Sequence, residues 1–155
     1  MKKFIKLLFV FMLVVFLAGC KGKEVVTKCN YESNQETSGY KIVTDYEIYS
    51  RDELATKVVK KEKIISKNNT ILAYFKDQFK KQYESNNKNY KGYSYEVSDK
   101  KGETVSIVTI DYSKVDMDKF IKDNPAMKSF VNKSNQPTYK GIKTMYESMG
   151  AKCDK

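Results

Sequence analysis

Three textures of hydrophobic and polar positions divide the chain. The first is an unbroken apolar run from Leu7 to Phe16, preceded by Lys2, Lys3 and Lys6. At about a dozen residues it is short of the ~20 that a bilayer-spanning helix needs, and no second such run follows. The second texture is alternation, which places strands at 24–31, 40–49, 56–65, 93–98 and 103–112. The third is helical spacing. Ile71, Leu72, Phe75, Phe79 and Tyr83 make one apolar stripe behind the N-cap candidates Asn68, Asn69 and Thr70, and Gly92 follows its end.

Turn chemistry separates these elements. The polar cluster 32–39 reads as a turn, and Asp99-Lys100-Lys101-Gly102 as a type I turn that makes a hairpin of the last two strands. Beyond them, Asp116 caps a short helix holding Phe120 and Ile121, which stops before Pro125. Residues 126–131 add another helical turn. Ile142, Met145, Tyr146 and Met149 mark a final helix ended by Gly150. The expected fold is a single α+β domain: one antiparallel sheet of about five strands, one long helix packed on it, and short C-terminal helices.

Strand order is partly legible. Val105, Ile107, Val108 and Ile110 are apolar on both faces, which places 103–112 inside the sheet. Lys57, Lys60, Lys61 and Lys63 on 56–65 suit an exposed edge, since edge lysines discourage pairing with other chains.

The apolar run closes on Leu17-Ala18-Gly19-Cys20. A basic start, a short apolar core and small residues before a cysteine are the grammar of a lipoprotein signal. The reading divides the chain into a signal peptide at 1–19, a lipidated stem at 20–24 and a domain at 25–155. Cleavage falls between Gly19 and Cys20, and the Cys20 thiol carries the lipid. Two acyl chains, each contributing ~0.8 kcal/mol per buried CH₂, hold a protein durably on a bilayer. Only Lys21, Gly22, Lys23 and Glu24 separate Cys20 from the first strand-like residues, a reach under about 20 Å.

Charge and cysteine usage sharpen this picture. The formal net charge is +10, and loss of Lys2, Lys3 and Lys6 with the signal leaves three fewer. A basic domain near a surface favours anionic lipids, envelope polymers or acidic proteins as neighbours. With Cys20 lipidated, Cys29 and Cys153 remain as an even pair in an oxidising compartment, which points to a disulfide. The alternatives are two free thiols or a metal pair; the latter lacks any histidine and any third ligand nearby in sequence.

The absence of histidine also removes the commonest general base and the triads built on it. Asp111, Asp116 and Asp118 match no known cation loop. Tyr90, Tyr93 and Tyr95 beside Lys88 and Lys91 look like an aromatic-and-basic surface for bases or sugars, as single-strand binders use, but such tyrosines are common half-buried strand residues, and an exported protein seldom meets nucleic acid. The sequence therefore points to a membrane-anchored, non-enzymatic binding or interaction module of the cell envelope. It needs no cofactor, no metal and no nucleic acid. The alternative is a small-solute-binding lipoprotein with a pocket under the long helix.

The lipobox, the segment Tyr93-Ser94-Tyr95-Glu96-Val97, the join Thr109-Ile110-Asp111-Tyr112-Ser113-Lys114-Val115-Asp116 and the closing Gly150-Ala151-Lys152-Cys153 together resemble the YehR-like bacterial lipoproteins. The resemblance covers nearly the whole chain. It implies an α+β domain on a lipid anchor and transfers no catalytic residue.

Overall fold

A computed structural model describes residues 22–154. Six strands form one antiparallel sheet: β1 (Val25–Gln35), β2 (Tyr40–Arg51), β3 (Leu54–Ile65), β4 (Tyr93–Lys100), β5 (Glu103–Asp111) and β6 (Lys152–Cys153), ordered β4-β5-β3-β2-β1-β6. The helices are α1 (Asn69–Asn89), α2 (Met117–Asp123) and α3 (Tyr139–Ser148), with short 3-10 turns at Glu36–Ser38 and Pro125–Phe130. The α+β architecture agrees with the sequence pattern, but the sheet has six strands where about five were expected. The sixth is only two residues long and pairs with β1 through Cys29 and Asn30.

The placement of β3 is also corrected. It lies between β2 and β5 and pairs along its length with both, so its lysines are not on an edge. The connection through α1 carries the chain over the sheet to β4, and the β4–β5 hairpin returns to close against β3. A lysine-rich strand can be central here because alternation sends its side chains to two different environments. Val58 and Ile64 are buried among the helix-side residues, while Lys61 and Lys63 lie on the opposite face.

Among the described residues, the helices pack on one side of the sheet. The α1 helix covers β4 and β5, burying Leu72, Phe79 and Tyr83. Its stripe continues as an aromatic series in which Phe79 and Tyr83 stack at 5.8 Å and Tyr83 meets Tyr95 at 6.1 Å. The α3 helix covers β2, β3 and β6, with Ile142 fully buried and Tyr146 stacked on Tyr46 at 4.0 Å. These are the large apolar surfaces whose removal from water drives folding.

Caps fix where the helices start. Asn68 accepts from the Thr70 N–H, Asp116 from the Lys119 N–H, and Thr138 from the Gly141 N–H. The α1 to β4 connection depends on Gly92, which has φ +90° and whose Cβ, if present, would sit 2.7 Å from the Asp111 carbonyl oxygen. Only glycine permits both the conformation and the approach.

Candidate functional site

Gly19 and Cys20, the expected cleavage and lipidation residues, lie outside the described residues. The structure begins at Gly22, beside the carboxylate of Asp52 in the β2–β3 turn. Strand β1 starts three residues later, where Val25 stands opposite Ser50. This end of the sheet carries exposed Val25 and Val26, and Glu24 lies 3.9 Å from Arg51. Lys57 lies over the Tyr49 ring at 3.6 Å. Asp52 and Glu53 are exposed at the same end, so its charges are mixed rather than basic.

Cys29 and Cys153 are joined, with an S–S distance of 2.01 Å. The register explains why: Cys29 is directly opposite Cys153 in the β1–β6 pairing, and Cys29 is 3% exposed at the core. The two thiols are therefore used by the fold and are not a metal pair.

The lysines of β3 divide between the two faces of the sheet. Lys60 is on the helix side, where it pairs with Glu62 and donates to the Tyr83 hydroxyl at 3.3 Å. Burial works against its charge, but the neighbouring Glu62 carboxylate and Tyr83 outweigh burial and hold the ammonium above the ordinary lysine range. Lys61 lies on the open face, in a depression of about 590 Å³. There Lys28, Lys61 and Lys152 are matched by Asp45, Glu47 and Asp154, so this surface has no charge preference.

Other candidate clusters separate in the fold. Asp116 caps α2, Asp111 accepts from the Ser113 hydroxyl and pairs with Lys114, and Asp118 accepts from the Asn135 amide. Each carboxylate thus has its own partner, and the described residues contain no group of three or more acidic or cysteine side chains placed to hold a metal. Tyr90 and Tyr93 are buried, and Tyr90 donates to Asp123 at 2.8 Å. They are core residues and not a platform for bases.

Beneath α1 the space is filled by Leu72, Phe79 and Tyr83 packed in one cluster with Tyr93, Tyr95 and Val108. Hollows do occur at the opposite end of the sheet from Val25, where the turns at Gly39, Ser66 and Gly102 meet. One, of about 920 Å³, is lined by Lys41, Lys67 and Lys101; its neighbour, of about 370 Å³, is lined by Ile71, Tyr74 and Phe75. In the sequence, Asn68 to Thr70 show only as a cap and 99–102 only as a turn. The available signal was Tyr74, an aromatic residue off the apolar stripe of α1.

No protein-family model matches the chain, and no curated protein matches it. Among solved structures, the NMR structure of a protein from Streptococcus pneumoniae TIGR4 is similar. The match has a TM-score of 0.54 at 12% identity, covering 86% of this chain and 87% of that one. At that identity the likeness is one of fold, and it places this chain's α+β arrangement among known architectures.

Proposed function

We propose that this chain is an exported lipoprotein, cleaved after Gly19 and held on a membrane through Cys20. Its domain acts as a non-catalytic binding module of the cell envelope. The division into a signal at 1–19, a stem at 20–24 and a domain at 25–155 belongs to the same reading, as does the resemblance to YehR-like lipoproteins.

The observation that carries this reading is the Cys29–Cys153 disulfide, because a structural bridge of this kind forms and persists in oxidising, exported compartments. It joins with the lipobox: Cys29 and Cys153 pair with each other, and Cys20 is the cysteine of the lipobox. The absence of histidine and the separate partners of Asp111, Asp116 and Asp118 favour binding over catalysis. The solute-receptor alternative needs space beneath α1, where aromatic side chains pack instead.

The test is Cys20→Ala in cells supplied with labelled fatty acid. The unaltered protein is expected to incorporate label and partition into the detergent phase, and the variant to do neither. Label retained by the variant would overturn the reading.

A further inference from the structure

We infer that the groove at the end of the sheet remote from the tether is a docking site for an acidic glycan strand. That end is rigidly built. Ser66, 6% exposed, ties three turns together. Its hydroxyl donates to the Gly39 carbonyl at 2.7 Å and accepts from the Asn68 N–H at 3.0 Å, and its own N–H donates to the Gly102 carbonyl at 3.1 Å. A floor fixed in this way loses little freedom when something settles on it.

The two hollows at this end share Tyr40 and Asn68 and so form one groove. On one side is an aromatic shelf. Tyr74 is 59% exposed and meets Phe75 edge-on at 5.5 Å, and Phe75 meets Tyr40 at 4.9 Å. A large aromatic face left in water on an otherwise well-filled domain suits a flat, partly apolar ligand whose rim is polar, which describes a sugar ring. Asn68 uses its carbonyl oxygen to cap α1, which leaves its amide as a donor for ring hydroxyls.

On the other side the charge is positive. Lys41, Lys67 and Lys101 face a single lining carboxylate, Glu36, although Lys41 also pairs with Glu32 at 2.7 Å. This contrasts with the balanced depression on the open face of the sheet, and it selects for sugar units that carry acid groups. The groove is shallow and open to solvent, which fits a segment of polymer lying across it better than a small enclosed metabolite.

Its position suits such a partner. The β1–β2 register places Val25 with Ser50 at one end and Gln35 with Tyr40 at the other. At ~3.3 Å per residue the strand carries the groove roughly 35 Å from the tethered end. On the proposed lipid anchor at Cys20, on which the biological setting of this inference rests, the groove points away from the bilayer into the envelope.

The experiment titrates the full chain, extracted in detergent, with oligogalacturonate, neutral dextran oligosaccharide and polyglutamate. Oligogalacturonate should bind saturably and less tightly as salt rises, and more tightly than either of the other two. Tyr74→Ala and the pair Lys67→Glu, Lys101→Glu should each weaken it by about tenfold, as central contacts of an interface do. Lys122→Glu, exposed on α2 and remote from the groove, should have little effect, and unchanged thermal midpoints would show that the variants fold. Absence of oligogalacturonate binding, binding unaffected by the groove variants, or equally tight binding of polyglutamate would overturn the inference. A chain that binds oligogalacturonate but lacks lipid supports the groove and removes the anchor; a lipidated chain that does not bind does the reverse.

Discussion

Cys29 and Cys153 stand opposite each other in the pairing of β1 with β6, although 124 residues separate them in sequence. A bridge across so long a loop restricts the unfolded chain by roughly 4–5 kcal/mol in the loop-entropy account. Replacing both cysteines by alanine should therefore lower the urea midpoint strongly, with the slope reporting any change in the unfolded state. An unchanged midpoint would contradict this.

Lys60 and Glu62 form a partly buried pair between the sheet and α1. Glu62→Gln should destabilise the fold by about 1–3 kcal/mol, because it leaves the Lys60 charge without its carboxylate. Replacing both residues with apolar side chains, Lys60→Met with Glu62→Leu, should cost less than Glu62→Gln alone. Chemical denaturation of the three proteins decides this, and a double variant weaker than the single one would contradict it.

Gly141 lies in the first turn of α3, where an added Cβ would be 2.4 Å from the Phe130 carbonyl oxygen and 2.8 Å from the Phe130 Cα. The obstruction is backbone, so relief requires the 3-10 segment and α3 to move apart. Gly141→Ala should lower stability by about 1–3 kcal/mol despite alanine's better helix propensity. A thermal midpoint equal to or above that of the unaltered protein would refute this.

Burial raises the Tyr112 and Tyr146 hydroxyls above the ordinary tyrosine value of 10.0. The unfolded chain releases these protons first. Their contribution is therefore complete below pH 10.0 and is lost as pH rises toward the folded values. Lys60, also raised, adds a loss in the same direction starting from its ordinary 10.5. Urea midpoints measured from neutrality to about pH 11 should fall on the alkaline side, and Tyr112→Phe should flatten that fall. Flat midpoints across this range would contradict the account.

Much of this architecture was legible in the sequence because pattern and environment agree. The stripe from Ile71 to Tyr83 does lie along α1, and β5 (Glu103–Asp111) is an interior strand, as its two apolar faces implied. The misreadings have local causes. Residues 32–35 are polar, yet they continue β1 because Glu32 to Gln35 pair with Tyr40 to Val43, shrinking the expected turn to Glu36 to Gly39. The lysines of β3 looked like edge protection, but one face of the sheet is open enough to solvate them, and Lys60 finds Glu62 and Tyr83 on the other. A two-residue strand such as β6 has no period to read, and its place comes from Cys29. The remote groove left only Tyr74 as a signal, because the rest of it is assembled from turns at Gly39, Ser66 and Gly102 that meet only in the folded chain.

The central claim is that Cys20 carries lipid while Cys29 and Cys153 bridge. Intact mass of the protein recovered from cell membranes, before and after reduction, tests both parts at once. The account predicts a chain beginning at Cys20, heavier than its sequence by a lipid group, that gains two hydrogens on reduction. A mass that includes Met1 to Gly19, or a lipid-free chain beginning elsewhere, would contradict it.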